Sequence, residues 1–200
     1  MAFHNNPRVS TDGLVCCLDA NNAKSYPGSG NDWFDLTGND DWTITAGSSF
    51  SNGALTLDDI AAGNDSGASP PTSWRGTTDC TIDTWYYMNT PYGSCCDTIF
   101  GRYDFRFFQI GTSLYTMISF EASNTPGYTD GARYYQHPSY TIASGEWHHL
   151  VGMRRDNRYV IWIDGVEKYN GDFGNNLELY GATSSSWALN TNRHNAKYGA

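Results

Sequence analysis

Apolar and polar positions alternate with a period of two along much of this sequence, as in β-strands that have one buried face. The clearest example is Cys80–Met88 (CTIDTWYYM), whose alternation places Tyr86 on one face and Trp85 on the other. Further strands are predicted at Leu14–Leu18, at Trp42 to Ile44 and around Phe50, and at Ala54–Leu57, Thr98–Gly101, Phe105–Ile110, Leu114–Glu121, Trp147–Arg154, Tyr159–Ile163, Val166–Tyr169 and Leu177–Gly181. Long helical patterns are absent from the sequence, so ten or more short strands predict an all-β sandwich or barrel.

Turn residues separate these strands. Asp164-Gly165 is the preferred dipeptide of a tight hairpin, because both of its positions tolerate positive φ. Gly111-Thr112-Ser113 predicts another turn, and the polar segments Tyr26 to Asp40, Ala61 to Pro71 and Asn124 to Ser139 predict long loops, the last of them a candidate lid.

Three tryptophans lie within the most strongly patterned strands. Trp85, Trp147 and Trp162 are therefore candidates for the core, and we expect at least two of them to be largely buried.

Composition supports this fold class and excludes one class of partner. Aromatic residues make up 15% of the 200-residue chain and charged residues 16%, and 21 glycines supply turns. The formal net charge is −9 without a basic run, which predicts that nucleic acid is repelled.

The N-terminus is polar and lacks the apolar stretch of a signal peptide, and no apolar run is long enough to span a bilayer. We therefore expect synthesis in a cytoplasm and no membrane contact. Five cysteines include the adjacent pairs Cys16-Cys17 and Cys95-Cys96, whose side chains point to opposite faces of a strand, so small buried thiols are favoured and a bridge between strands stays open.

Three segments together resemble a known family. They are GLVCCLDANNAKSYPGSGNDWFDLTGND (Gly13–Asp40), TIDTWYYM (Thr81–Met88) and GEWHHLVGMRRDNRYVIWIDGVEKY (Gly145–Tyr169). The chain is similar to the laminin G-like, concanavalin A-like jelly-roll domains that are frequent in bacteriophage structural proteins. The resemblance implies an antiparallel concanavalin A-like sandwich, with an N-terminal arm at 1–12 and a single laminin G-like domain at 13–200.

The C-terminus departs from the family pattern, since only Leu177–Gly181 is predicted as a strand after residue 176, which leaves the sandwich one strand short of the family pattern. An unpaired sheet edge would result, and such edges are usually covered or paired. We therefore expect that Asn190–Ala200 covers the edge or that a strand from another chain pairs with it.

Catalytic signatures known from this kind of sandwich are missing from the sequence. Retaining glucanases need two carboxylates about 5 Å apart, in a Glu-x-Asp-x-x-Glu pattern that does not occur here. Asp83 is a lone carboxylate beside Trp85 and Tyr87, and the Arg strand of the related lyases is also missing. The prediction is that the protein is not an enzyme.

Calcium is the most plausible cofactor, because it prefers oxygen ligands and related sandwiches often hold it with loop carboxylates. Asp58 and Asp59, or Asp35 with Asp40 and Asp41, are the candidate ligands. The adjacent residues His148 and His149 point to opposite faces of a strand and cannot chelate one ion, so we expect one to pack beside Trp147 and the other to meet solvent or a neighbouring strand.

Aromatic residues in predicted loops are the candidates for a ligand or partner surface: Trp74, Tyr128, Tyr134 and Tyr135. Such rings stack on sugars or form protein interfaces. The preferred hypothesis is a non-enzymatic bacteriophage virion protein, a capsid decoration, tail or fibre component whose partners are other virion proteins or copies of itself. The alternative is a carbohydrate-binding module or adhesin that contacts cell-surface glycans, and a polysaccharide-active enzyme comes third.

Overall fold

The computed structural model describes residues 12–39, 41–44, 48–57, 68–69, 79–88, 97–102, 105–110, 113–121, 133–136, 139–155, 158–172, 188–189 and 196–199. Within these ranges the chain forms β-strands joined by turns and contains no helix. In chain order the strands are β1 (Asp32–Trp33), β2 (Trp42–Ile44), β3 (Ser48–Ser51), β4 (Ala54–Leu57), β5 (Ala68–Ser69), β6 (Cys80–Met88), β7 (Asp97–Arg102), β8 (Phe105–Ile110), β9 (Ser113–Glu121), β10 (Arg133–Gln136), β11 (Ser139–Thr141), β12 (Trp147–Arg155), β13 (Arg158–Ile163), β14 (Val166–Asp172), β15 (Ala188–Leu189) and β16 (Ala196–Gly199). Among the described residues, no helical segment has the length and apolarity needed to cross a membrane.

The strands form two antiparallel sheets. The nine-stranded sheet has the order β1-β2-β5-β15-β7-β8-β9-β10, with β11 also paired to β9, and the seven-stranded sheet has the order β14-β13-β12-β6-β16-β4-β3. This confirms the all-β prediction, and three predicted strands have the observed bounds, namely β4, β6 and β8. The Asp164-Gly165 turn is also confirmed, since both residues have positive φ, 52° and 74°.

Three segments that we predicted as loops contain strands, and one predicted strand is absent. The segment Tyr26 to Asp40 includes β1, which pairs with β2. The segment Asn124 to Ser139 includes β10, which pairs with β9, and Ala61 to Pro71 includes β5. The apolar run Leu14–Leu18 forms no strand. Its backbone bonds instead to the following loop: the Cys17 N–H donates to Asp35 Oδ1 (2.8 Å), and the Cys17 carbonyl accepts from the Leu36 N–H (2.9 Å).

The core lies between the two sheets. Buried side chains of the nine-stranded sheet (Trp33, Trp42, Ile44, Ile99 and Leu114) form one cluster with those of the seven-stranded sheet (Leu55, Ile82, Tyr86, Met88, Leu150, Tyr159, Ile161 and Ile163). Partly buried residues, including Cys16 and Cys80, pack against this cluster. The two sheets therefore form a sandwich, and each has an inner and an outer face.

The tryptophan prediction is wrong. Trp85 is 41% exposed, Trp147 is 40% exposed and Trp162 is half-buried, whereas Trp33 and Trp42 are 4% and 1% exposed. The reason is the register of the strands, which gives the inner positions of β6 and β12 to smaller side chains and to Tyr86 and places the indoles on the outer face.

The prediction that one strand is missing near the C-terminus, with an unpaired sheet edge as the result, is also wrong. β16 lies inside the seven-stranded sheet, between β6 and β4, and β15 lies between β5 and β7 of the other sheet. The last residues of the chain therefore complete both sheets instead of covering an unpaired edge. The predicted strand Leu177–Gly181 lies outside the described residues.

Candidate functional site

Four ring-bearing side chains share the outer face of the seven-stranded sheet. Trp85 and Tyr87 of β6 lie directly opposite His149 and Trp147 of β12 in the antiparallel register. The Trp85 and His149 rings stack with centroids 4.8 Å apart at 24°, and the Tyr87 and Trp147 rings are 5.5 Å apart at 59°. We call these four residues the aromatic strip.

The aromatic strip is accessible to a ligand. Trp85 and Trp147 keep about two fifths of their surface exposed, at 41% and 40%, although large aromatic side chains are usually buried further. Exposed apolar surface on a sheet face often marks a binding site. Neighbouring rings held by cross-strand pairing form a rigid surface, because the register fixes their positions.

A hydrogen bond holds one ring of the aromatic strip, the His149 imidazole, in place. His149 Nε2 lies 2.8 Å from Asp83 Oδ1 on the neighbouring strand, so the carboxylate sets the orientation of the imidazole that stacks on Trp85. The Asp83 side chain is 63% exposed, which leaves its carboxylate accessible to the hydroxyl groups of a ligand.

The adjacent histidine, His148, points inward and joins two loops. Its Nδ1 lies 2.8 Å from Asp164 Oδ2 and its Nε2 lies 3.0 Å from the Ala143 carbonyl oxygen. A neutral imidazole has one N–H, so both hydrogen bonds are made together when the ring is protonated. His148 and His149 point to opposite faces of β12, as we expected, so they cannot chelate one ion together. His149 meets the neighbouring strand β6, where it stacks on Trp85 and bonds to Asp83, and Trp147 packs on Tyr87.

Asp164 connects this contact to the β13–β14 turn. Its Oδ1 accepts a hydrogen bond from the His149 backbone N–H at 2.8 Å. Burial raises the pKa of Asp164, but the hydrogen bonds from His148 and the His149 backbone lower it, and the net result lies below the ordinary 3.8. Asp164 is therefore a charged group that fixes the end of β12 from which the aromatic strip projects.

A second feature lies farther along the same outer face. Strands β12, β13 and β14 border an open depression of about 400 Å³, which we call the hairpin depression. It is lined by Met153, Arg155, Arg158, Val160, Trp162, Glu167 and Asn170. The depression thus combines one indole with cationic, anionic and amide groups.

The aromatic residues predicted from loops do not form a described site. Trp74 and Tyr128 lie outside the described residues, while Tyr134 and Tyr135 lie on β10, opposite Phe120 and Ser119 of β9. The loop placement of this tyrosine pair is therefore corrected to a strand.

The candidate calcium ligands lie in different parts of the chain, and three of them fall outside the residues that the structure describes. Asp58, Asp59 and Asp40 lie outside the described residues. Asp35 is 5% exposed, and its carboxylate accepts hydrogen bonds from the backbone N–H groups of Cys17, Thr37 and Asn39 and from the Thr37 hydroxyl. These bonds occupy its acceptor positions, so Asp35 organises its own loop. No group of three or more His, Cys, Asp or Glu side chains in the described part of the chain could hold a metal ion.

Sequence reasoning missed the aromatic strip although the relevant signal was present. Asp83, Trp85 and Tyr87 alternate along one strand, and a carboxylate on a face indicates that the face meets solvent. This signal identifies the exposed face of β6, but the contribution of β12 depends on a register between residues 60 or more positions apart.

Solved structures that share this fold include a sialidase, a neurotoxin binding domain and a polysaccharide lyase. The Trypanosoma rangeli sialidase in complex with sialic acid matches with a TM-score of 0.65 and 14% identity over 96% of this chain and 30% of the sialidase. The binding domain of botulinum neurotoxin serotype G matches with a TM-score of 0.58 and 10% identity, over 82% of this chain and 42% of that chain. An endo-β-1,4-glucuronan lyase from the fungus Trichoderma reesei matches with a TM-score of 0.53 and 10% identity, over 79% of this chain and 84% of the lyase.

These identities show the fold alone, and this chain spans less than half the length of the sialidase and neurotoxin chains. A search of curated proteins found no match to the sequence. Residues 61–198, more than half of the chain, match the family Laminin_G_3, described as the concanavalin A-like lectin/glucanases superfamily. The chain therefore belongs to this laminin G-like family, and its two sheets are a concanavalin A-like β-sandwich.

Proposed function

We propose that this protein is a non-enzymatic carbohydrate-binding module that holds saccharide rings on the aromatic strip. The observation that carries the proposal is the pair of exposed indoles, Trp85 and Trp147, at diagonal positions of two paired strands on one sheet face of a protein whose family includes lectins. The negatively polarised face of an aromatic ring attracts the C–H groups of a pyranose ring. A sheet surface that fixes two such rings can contact more than one sugar unit.

Polar groups beside the indoles support the same proposal. Asp83 and His149 form a bonded pair next to Trp85, and the exposed carboxylate of Asp83 can accept hydrogen bonds from sugar hydroxyls. Few well-placed polar groups around an apolar surface are the usual composition of a ligand site.

The absence of catalysis is part of the proposal. This part of the proposal is supported by the sequence, because the carboxylate pattern of the retaining glucanases does not occur in it. Asp83, the carboxylate of β6, is bonded to His149 instead of facing a second acid. Incubation with laminarin, agar or alginate should release no reducing ends or unsaturated products. Product formation that Asp83→Asn abolishes would show that the protein is an enzyme.

Binding is tested with a glycan array, followed by calorimetric titration of the best ligand. We expect Trp85→Ala and Trp147→Ala each to weaken binding by about tenfold, since an aromatic contact contributes about 0.5–1.5 kcal/mol beyond the area that it buries. Phe34→Ala is the matched control, because Phe34 is 37% exposed and lies outside the aromatic strip. Equal affinities of the Trp variants and the control would contradict the assignment of the site.

A second candidate function is that of a surface-exposed bacteriophage virion protein, in particle assembly or in adhesion. The observation that favours it is the opening segment Gly13–Asp40, which resembles the opening of laminin G-like domains that are frequent in bacteriophage structural proteins. Its described residues, 13–39, include the buried carboxylate of Asp35. In an adhesive role, the aromatic strip would present its glycan-binding surface on the particle. Mass spectrometry of purified particles from a producing strain tests this role, and absence of the chain from the particles would reject it.

A further inference from the structure

The hairpin depression contains an unfavourable pair of charges. Arg155 at the end of β12 lies directly opposite Arg158 at the start of β13. Side chains in such positions are about 5 Å apart at Cβ, and like charges placed there destabilise a sheet. Both arginines are exposed, and Arg155 has no hydrogen-bond or ion-pair partner in the described part of the chain. An anion between the two guanidinium groups would remove this repulsion.

One of the two guanidinium groups is already oriented. Arg158 donates to Asn170 Oδ1 of β14 through Nε, at 3.1 Å, and also through Nη2. Asn170 in turn donates through Nδ2 to Glu167 Oε1 at 3.2 Å. These hydrogen bonds leave further N–H groups of Arg158 for a ligand, because a guanidinium carries five N–H donors in a planar fork.

A β-bulge in β14 positions the side of the depression that Glu167 and Asn170 form. Ile161 pairs with Tyr169 but Trp162 pairs with Glu167, so β14 carries one extra residue at Lys168. Regular alternation would send residues three positions apart to opposite faces, whereas the bulge brings Glu167 and Asn170 to the same depression.

A side chain from another strand supports this bulge. The Tyr140 hydroxyl of β11 donates to the Lys168 carbonyl oxygen at 2.9 Å. The contact holds the irregular backbone that displays Glu167 and Asn170, so the polar wall is built into the sandwich and does not depend on a mobile loop.

The depression also offers an aromatic surface. Trp162 is half-buried beside the buried side chain of Val160, so its indole is held in place while part of it stays accessible. Met153 lies next to it on β12. A sugar ring against this indole would have the guanidinium groups toward one end and the Glu167 side chain beside the indole, with Asn170 between Arg158 and Glu167.

We propose that the hairpin depression binds a carboxylate-bearing sugar unit, a uronate, within a polysaccharide chain that also contacts the aromatic strip. The carboxylate lies between Arg155 and Arg158, where charge-assisted and bidentate hydrogen bonds form, and Glu167 accepts hydrogen bonds from ring hydroxyls. Arginine suits this role better than lysine because its planar fork matches a carboxylate. This inference rests on the proposed carbohydrate-binding function and names its ligand class.

The two features are placed for one linear ligand. Both lie on the outer face and share β12, with His149 in the strip and Met153 in the depression. Four residues of extended strand separate these positions by about 14 Å. An oligosaccharide of several units would therefore reach from the indoles of the strip to the arginine pair.

The test compares ligands that differ in charge but not in shape. Hexamers of galacturonate, glucuronate and mannuronate and their methyl esters are titrated into the full chain by calorimetry. We expect at least one acid to bind about tenfold more tightly than its ester, with an advantage that decreases as salt is added. We expect Arg155→Gln to abolish the difference between acid and ester, and Arg155→Lys to restore part of it.

Lys168→Gln is the matched control, because it also removes one exposed positive charge from the seven-stranded sheet but lies outside the lining of the depression. It should leave the preference for the acid unchanged. Melting curves should show no loss of stability in the Arg155 variants, and Arg155→Gln should melt at the same temperature as the unmodified chain or slightly higher, since the side chain is exposed and its removal relieves the repulsion with Arg158.

The outcomes separate this inference from the proposed function. Equal binding of acid and ester, with affinity still lost in Trp147→Ala, would overturn the uronate site and leave carbohydrate binding in place. The same result for Arg155→Gln and Lys168→Gln would also overturn it. No binding of any glycan by the unmodified chain would reject both proposals.

Discussion

The separation of inner and outer tryptophans gives the sharpest test of the fold. Trp42 of β2 is 1% exposed and packs in the cluster between the sheets, whereas Trp147 of β12 is 40% exposed on the outer face. Replacing each with Ala removes the same indole from two different environments. We expect Trp42→Ala to destabilise the protein strongly and Trp147→Ala to destabilise it weakly.

The magnitude follows from the buried area. An indole buries up to about 250 Å², which at about 25 cal/mol per Å² corresponds to about 6 kcal/mol. Substitutions of core tryptophans by Ala cost about 3–5 kcal/mol, and we expect Trp42→Ala to fall in that range. Trp147→Ala should cost about 1–2 kcal/mol, since solvent fills the vacated space and no cavity forms.

The assay is urea unfolding followed by far-ultraviolet circular dichroism, with thermal melts as a second measurement. A domain of this length loses about 2–4 °C in Tm per kcal/mol, so Trp42→Ala should melt about 6–20 °C lower than the unmodified chain. The dependence on urea should keep its slope, which reports the surface exposed on unfolding. Equal losses in the two variants, or a larger loss in Trp147→Ala, would refute the assignment of inner and outer faces.

Two further predictions concern the C-terminal strand and the charged turn. Deleting residues 196–200 removes β16, which has three register pairs with β4 and four with β6, and should leave an unfolded or aggregated chain by circular dichroism and gel filtration; a folded monomer would contradict the sheet order. Asp164→Asn keeps a residue that tolerates positive φ but loses the charge beside His148. The folded pKa of Asp164 lies below 3.8, so the unfolded chain binds the proton more readily, and the stabilisation is present above about pH 4 and lost as pH falls below it. Melts at pH 7 and pH 3 should show a larger loss of Tm in Asp164→Asn at pH 7 than at pH 3, and equal differences at both would contradict the role of the charge.

Local alternation predicted the best-formed strands. β6 has the predicted bounds because it is a long period-two pattern, and β4 and β8 have them because short apolar-rich segments lie between turn residues; neither signal depends on the partner strand. The Asp164-Gly165 turn was equally predictable, since few dipeptides tolerate positive φ at both positions.

The incorrect predictions have a different cause, which is that the structure of these segments depends on contacts with distant parts of the chain. Leu14–Leu18 has a strand-like composition, but its backbone bonds to Asp35 and Leu36 instead of to a neighbouring strand. Two short strands, β15 and β16, have little pattern of their own, and pairing with distant segments makes them part of the sheets. The structure of such segments depends on which strand lies beside them.

The candidate site divides in the same way. The sequence alone determined that Asp83, Trp85 and Tyr87 share one face of a strand and that Arg155 and Arg158 flank a short connection, because alternation and proximity along the chain are local properties. Only the tertiary structure decided that this face is the outer one, that Trp147 and His149 lie opposite Tyr87 and Trp85, and that a bulge in β14 completes the depression beside the arginines. The physical reason is that a strand's alternation defines two faces without choosing between them, and the choice is made by which sheet covers one face and leaves the other to solvent.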